Sequence, residues 1–370
     1  MLRCMLRNED FEVMSRRKEI VLAGFVALWL ATPAHAEPPG LYVTGDGSWQ
    51  NVRLPSFGLG FRKTTDSPDT FDRGPFDDLS SNVTGAGRRG AVGYNFGPGT
   101  FNPLLGIGSR VEIGGSYVDA DGASSAASTL TDGRMSPVLL SGAGIPFTDS
   151  FWCSSGFRCP TASALTTDYR NWQMYGKFAT DYTNGTSTLT PYLSLFGGNG
   201  RNNQAFGQSF SQVNSIGDVV NTGSYNASTQ LDWDDFGGKV GVDSKIPVNS
   251  WLAVQLGGAI GFAHRNASLA GQDRSLVTGN FAFSGTSTVN DNESTTALIA
   301  NAEAALIITP ISGVSLRGFA GIIADSDVPG VAGPSFTGRA VDGPATVTPA
   351  GIDFDSETSY YAGGGLVASF

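Results

Sequence analysis

Histidine is almost absent from this sequence, which contains only His35 and His264 among its 370 residues. Charged residues are also scarce, at 15% of the chain, and the 33 acidic residues outnumber the 23 basic ones. Acid–base catalysis commonly uses histidine, and nucleic-acid binding needs clustered lysine and arginine. The composition therefore argues against a nucleic-acid partner and offers little for a hydrolytic centre.

Long apolar runs are missing as well, and the overall hydropathy is close to neutral, which excludes a bundle of membrane helices. The apolar run Ile20–Leu30 is too short to span a bilayer as a helix. It follows the basic cluster Arg16–Lys18 and precedes an A-x-A site that ends at Ala36, as in a signal peptide. We expect residues 1–36 to be removed, and Met14 is a candidate for the true start.

Cysteine is equally rare, and Cys4 would leave with the signal peptide. Cys153 and Cys159 remain, in the stretch CSSGFRC. Two cysteines this close in an exported chain favour a disulfide that closes a small loop, with two free thiols as the alternative. A metal site would need further ligands nearby, and the neighbouring sequence supplies none. We expect no metal and no cofactor.

Glycine, by contrast, is abundant, with 50 residues, many of them in segments where apolar residues alternate with small or polar ones. In the stretch LAVQLGGAIGFAHR, one alternate set is mostly large and apolar, and the other is small or polar. A repeat of two places successive side chains on opposite faces of a β-strand. Ten such segments follow one another: Leu41–Gln50, Arg89–Phe96, Ser109–Asp119, Trp172–Tyr182, Leu189–Gly198, Asp235–Asp243, Leu252–Arg265, Thr296–Ile308, Ser315–Asp325 and Tyr360–Phe370.

The connections between these segments alternate in length. The short ones contain Gly, Pro or Asn-Gly, as tight turns require. The long ones occupy residues 51–88, 120–171, 200–234, 266–295 and 326–359. Short turns at one end and long loops at the other are typical of an outer-membrane barrel. We therefore predict an all-β chain that forms a transmembrane antiparallel β-barrel of ten strands over residues 37–370.

Other strand numbers and another fold remain as alternatives. Eight strands would discard clear segments, and twelve would make residues 275–289 an extra hairpin, although these residues could equally extend their neighbours above the membrane. A secreted β-sandwich also shows alternation, because one face of each sheet is buried. Strands of about ten residues and the regular phase of the loops favour the barrel.

Four stretches resemble Gram-negative outer-membrane barrels: GLYVTGDGSW, AVGYNFG, RVEIGGSYV and the C-terminal YYAGGGLVASF. Among these barrels, the chain is similar to the opacity and OmpA-type proteins and to porin-like surface proteins of alphaproteobacteria. The resemblance implies location in the outer membrane, with the bilayer and lipopolysaccharide as its surroundings. It also implies insertion by the barrel-assembly machinery, which would read Phe370 and Leu366 in the last strand.

The polar set of the alternating segments would face the barrel interior. It contains five basic and six acidic residues: Asp46, Arg89, Arg110, Glu112, Lys177, Asp181, Asp235, Lys239, Asp243, Glu303 and Arg317. A pore that selects one ion sign needs an asymmetric lining, so this near balance favours paired charges that fill a narrow lumen. A small, weakly selective channel for solutes is the alternative. We expect a porin-like or structural surface protein without catalysis, or a surface adhesion barrel.

An enzymatic barrel of the omptin or lipid A deacylase type is the less favoured interpretation, because such enzymes use a histidine base. His264 shares the parity of the lipid-facing residues, and its surroundings, GFAHRNAS, match neither pattern. The acidic segment Asp66–Asp78 has carboxylates that suit calcium but lacks the spacing of an EF-hand. We therefore expect neither catalytic nor metal-binding residues.

Overall fold

The computed structural model describes residues 39–60, 62–64, 79–98, 108–131, 133–136, 139–142, 151–153, 156–184, 187–280, 282–337 and 346–370. The predicted signal peptide, the alternative start at Met14 and the acidic segment 66–78 lie outside the described residues. Within the described ranges, no helix is long and apolar enough to cross a membrane.

Ten long antiparallel strands form one closed ring, which confirms the predicted fold class and strand number. Each strand pairs with its neighbours in the sequence, and the first pairs with the last from Tyr42–Ser369 to Asn51–Tyr360. Closure removes the unpaired edges that an open sheet would expose. The strands are β1 (Gly40–Val52), β2 (Val83–Pro98), β3 (Gly108–Leu130), β4 (Phe157–Asn184), β5 (Ser187–Asn214), β6 (Val219–Pro247), β7 (Leu252–Gly279), β8 (Phe283–Ile311), β9 (Val314–Ala332) and β10 (Gly351–Ser369).

The strands β4 to β8 are much longer than predicted, with 28 or 29 residues each. A tilted membrane strand needs only about 9–11 residues. The predicted long loop 120–171 is therefore wrong at its two ends, which are strand, and the predicted loops 200–234 and 266–295 are wrong for most of their length. The last two reduce to the short connections 215–218 and 280–282, and the segment 275–289 extends its neighbours instead of adding a hairpin. The connections 53–82, 131–156 and 333–350 remain long.

A belt of large, exposed apolar side chains surrounds the lower part of the barrel, which we define as the end that holds the start of β1 and the end of β10. Every strand contributes to it, for example with Val43, Val92, Ile113, Met174, Leu195, Val240, Ile260, Leu306, Leu316 and Leu366. An exposed apolar surface of this extent around a closed ring is a lipid-facing surface.

Above the belt the alternation continues but its two faces exchange character. On β6, Phe236 is 68% exposed and faces outward, whereas Asp235 is buried inside. One step higher on the same strand, Asp234 faces outward and Trp233 is buried inside. The solvent outside the barrel changes from lipid to water at this height, so burying apolar groups now requires the inner face. This reversal explains why the pattern of apolar residues outward stops at this height although the strands themselves continue.

The inner face of the upper barrel and three inward-folded connections form an apolar cluster that we call the upper core. The wall supplies Leu165, Tyr169, Phe206, Phe210, Tyr225, Leu231, Trp233, Leu269, Val277 and Val289, and the connections supply Leu54, Phe57, Leu59, Leu79, Leu139, Leu140 and Ala350. The backbone N–H of Leu140 donates to the buried Asp273 carboxylate at 2.7 Å, and that of Ala350 donates to the Leu140 carbonyl at 2.7 Å. These bonds fix the connections inside the wall.

Cys153 and Cys159 form the predicted disulfide, and both are fully buried in the upper core. Cys159 belongs to β4, while Cys153 follows the short strand Phe151–Trp152. That strand pairs with Arg134–Ser136, which pairs with Arg62–Thr64. The bond therefore ties this small sheet to the barrel wall. A second small sheet pairs residues 335–337 with 346–348.

Inward-facing glycines leave room for aromatic rings on the neighbouring strand. A Cβ at Gly93 would collide with the Tyr42 ring, and one at Gly241 would collide with the Tyr192 ring. Gly45, which faces outward, has nothing within 4 Å of the place where a Cβ would lie. The glycine content of the inner face is therefore a packing requirement in a narrow barrel.

We expect Gly93→Ala to lower the free energy of unfolding by about 1–3 kcal/mol, because the Tyr42 ring must leave its place. The matched control is Gly45→Ala, which we expect to be neutral because the added methyl meets only lipid. Urea unfolding of the detergent-folded barrel, followed by the mobility shift of folded against unfolded protein in gels, measures both. Equal losses in the two variants would contradict this account.

Cysteine labelling on intact cells tests the exchange of faces. We expect Thr288→Cys to react with a membrane-impermeant maleimide, because its side chain is exposed above the belt. Val289→Cys should stay unlabelled, because that side chain is only 6% exposed and belongs to the upper core. Preferential labelling of position 289 would show that the faces are assigned the wrong way round.

Candidate functional site

The predicted lumen residues lie on the inner face of the barrel, where their partners come from several strands. Arg89 on β2 contacts Glu303 on β8 at 3.4 Å, although these strands are far apart in the ring. Such a contact can be made only across the interior. The parity of the alternating segments therefore identifies the side chains that meet inside the membrane part of the barrel.

Four of these residues form one network across the interior. The Arg89 guanidinium contacts the Asp46 carboxylate at 2.6 Å, and Arg317 contacts the same carboxylate at 3.1 Å. Arg317 also pairs with Glu303, whose carboxylate accepts a hydrogen bond from the Tyr361 hydroxyl at 3.1 Å. Two basic and two acidic groups thus neutralise one another, which is the condition for keeping charges close together in a narrow interior.

Two further carboxylates are held nearer the lower end. The Glu112 carboxylate accepts hydrogen bonds from the Tyr42 hydroxyl at 2.8 Å and the Tyr175 hydroxyl at 2.9 Å. Arg110 pairs with Asp181 at 3.5 Å. Because Tyr42 is on β1, Tyr175 on β4 and Glu112 on β3, these bonds also cross-link the wall.

The two lysines of the set combine charge with aromatic contacts. Lys177 pairs with Asp243 at 3.1 Å, and its Nζ lies 3.9 Å from the centre of the Tyr192 ring. The Nζ of Lys239 lies 4.6 Å from the centre of the Phe196 ring. Cations over aromatic faces are stabilised by the ring quadrupole, most strongly where water is excluded.

Asp235 belongs to a cluster at the upper end of the membrane part, and sequence reasoning missed two of its members. Arg265 contacts Asp235 at 2.7 Å and Asp325 at 2.9 Å, and it donates to the Asp327 carbonyl at 2.5 Å. Only 4% of the Arg265 side chain is exposed. Arg265 and Asp325 share the parity of the inward residues on their strands, so the signal was present in the alternation itself.

In the membrane part of the barrel, the described inward charges are nearly balanced in sign. Adding Arg265 and Asp325 to the predicted set gives six basic and seven acidic side chains. Above them, burial in the upper core raises the pKa of the Tyr169 hydroxyl. Chemically, the arrangement can stiffen and fill the barrel, whereas selecting an ion needs a lining of one sign.

The other predicted site residues lie outside this interior. His264 is exposed on the outer face, and no group of three or more His, Cys, Asp or Glu residues able to hold a metal ion occurs among the described residues. Leu366 is in the belt, and Phe370, 79% exposed, donates its backbone N–H to the Leu41 carbonyl at 2.8 Å. The chain end thus completes the seam between β10 and β1.

A closed ring of strands with an apolar belt outside and ion pairs inside fits a lipid bilayer that surrounds the belt. The chain is an outer-membrane β-barrel. No family model matches the sequence, and no curated protein matches it.

Three solved structures are similar in overall form. The outer-membrane protease OmpT from Escherichia coli is 11% identical, with a TM-score of 0.38, over 89% of this chain and 97% of that one. The translocator domain of the autotransporter NalP from Neisseria meningitidis is 10% identical, with a TM-score of 0.25, over 98% and 96%. An anion-selective porin from Comamonas acidovorans is 12% identical, with a TM-score of 0.21, over 90% and 99%. Similarity this distant says nothing about site or activity.

We expect Arg265→Ala to lower the free energy of unfolding by about 3–5 kcal/mol, because it leaves Asp235 and Asp325 as uncompensated buried charges. The control is Arg201→Ala, which removes an exposed ion pair with Asp232 and should cost at most about 1 kcal/mol. Urea unfolding in detergent measures both, and a loss for Arg265→Ala no larger than the control's would contradict the structural role of the cluster.

Proposed function

We propose that this outer-membrane barrel is a structural surface protein that neither conducts solutes nor catalyses a reaction. The observation that carries the proposal is the filling of the interior at two successive heights. Within the membrane, ion pairs such as Arg89–Glu303 link opposite parts of the wall. Above the membrane, the upper core packs side chains such as Leu140 and Tyr225 to complete burial.

The two layers would block permeation for different reasons. An ion that entered the charged layer would have to break pairs such as Arg317–Asp46, and the balanced charges would attract neither sign. A hydrated solute would then meet the apolar upper core, where it would lose its water. A conducting, porin-like barrel is the alternative, and it requires both layers to open.

The surroundings that we propose follow from the resemblance noted in the sequence. The exposed belt faces the bilayer, and lipopolysaccharide surrounds the part above it. The last strand, with Leu366 and Phe370, would be the segment that the barrel-assembly machinery reads. We also propose that the chain is related to the opacity and OmpA-type barrels. A role in adhesion through the upper wall is a further proposal.

Planar-bilayer recording tests the proposal. We expect purified, folded protein to insert without discrete conductance steps, because both interior layers remain packed at moderate voltage. A known porin reconstituted in the same way serves as the positive control, and the gel mobility shift verifies that the inserted protein is folded. Reproducible conductance steps from the wild-type barrel would overturn the proposal in favour of a channel. The same recording is then repeated after reduction of the Cys153–Cys159 disulfide.

A further inference from the structure

A groove of about 700 Å³ opens on the outer face of the wall, across strands β3 to β8. Its lower row consists of outward side chains that are paired in register from strand to strand: Trp172, Asn199, Asp234, Asn266 and Ser294. The next row up contains Arg170, Arg201, Asp232, Ser268 and Asn292. We call this region the outer groove. Its volume is in the range of small-molecule binding sites.

The outer groove lies directly above the belt. The row beneath it includes Met174 and Phe236, which are 56% and 68% exposed and face lipid. Adjacent rows on one face of a strand are about 7 Å apart. The groove is therefore at the height of the lipid headgroups. The longer connections of outer-membrane barrels are on the cell exterior, so the upper end, which has them here, places the groove at the outer leaflet.

The groove combines aromatic surface with hydrogen-bonding groups. Tyr117 and Trp172 are directly opposite each other on β3 and β4 and are 39% and 42% exposed. Beside them, Asn199, Asn266 and Ser294 present amides and a hydroxyl on neighbouring strands. Aromatic faces flanked by amides, hydroxyls and carboxylates suit a ligand that has both apolar C–H faces and many hydroxyl groups.

The charges of the groove disfavour a bare phosphate. Arg201 is bound to Asp232 at 2.5 Å, and this hydrogen bond raises the pKa of Arg201. Arg170 lies 3.4 Å from Asp119 and 3.5 Å from Asp168, so both cations already have carboxylate partners. Asp234, in the lower row, adds further negative charge to the lining. Recognition here depends on hydroxyl groups more than on anions.

We propose that the outer groove binds the saccharide headgroup of a glycolipid of the same outer leaflet, with the Tyr117–Trp172 pair as the platform for a sugar ring. The position argues for a glycolipid over a free glycan, because acyl chains on the belt keep the attached saccharide close to the groove at high effective concentration. This inference does not depend on whether the interior conducts.

Calorimetric titration of the detergent-folded barrel tests the proposal with three probes. These are intact rough-type lipopolysaccharide, its freed core oligosaccharide, and the same oligosaccharide after dephosphorylation. We expect all three to bind, the intact glycolipid most tightly.

We expect Trp172→Ala to weaken binding of the oligosaccharide about tenfold, as the loss of one stacking contact does. Trp251→Ala is the matched control, because Trp251 is 52% exposed but lies in the turn between β6 and β7 at the lower end.

Other results would overturn the proposal. Loss of binding on dephosphorylation would replace the saccharide with a phosphate as the recognised group. Equal binding of a lipid-free glycan such as dextran and of the intact glycolipid would remove the assignment to the membrane. If Trp172→Ala fails to fold, Asn266→Ala takes its place with the same expectation, and unchanged affinity in a folded groove variant would refute the site.

Discussion

Every peptide group in contact with lipid must find its hydrogen-bond partner within the protein, and this requirement determines the rest of the molecule. A ring of ten strands satisfies it, because even the first and last strands are paired, from Tyr42–Ser369 to Asn51–Tyr360. The ring then fixes where side chains can go. Residues of one parity meet acyl chains, and residues of the other parity are confined to a space so narrow that charges must neutralise one another and glycines must lie beneath aromatic rings.

Above the membrane, the same strands are surrounded by water instead of lipid. Water outside the barrel reverses the preference of each face, so the upper wall turns Ser, Thr and Asn outward and packs Leu165, Phe206 and Trp233 inward. The inside of the upper half therefore resembles the core of a water-soluble protein. It continues directly from the membrane part, because the strands remain hydrogen-bonded to their neighbours throughout. The outer groove lies where these two regimes meet, which is why apolar, aromatic and polar groups adjoin there.

The sequence was sufficient for the number of strands, their order and the inward parity of residues such as Arg89 and Glu303, because alternation is strong where lipid enforces it. It was insufficient for the upper wall. There the alternation of small polar and apolar residues, as in Thr286–Val289, has the opposite sense, and the sequence alone does not distinguish a loop, an extra hairpin and an extension of the strands. Arg265 has the correct parity, but its role depends on Asp325 from another strand, which a local pattern does not reveal. The inward course of Leu54 and Leu140 depends on long-range packing and has no local signature.

The pairing of neighbours along the ring has a consequence for the order of assembly. Nine of the ten strand pairs join consecutive strands, whose hairpins can form one after another at low entropic cost. The pair between β1 and β10 joins residues separated by almost the whole barrel sequence, so it forms only after the rest of the sheet has curved round. Until that last pair forms, both edge strands of the growing sheet expose unpaired backbone N–H and C=O groups, so the unfinished barrel is open to pairing with other chains until the ring closes.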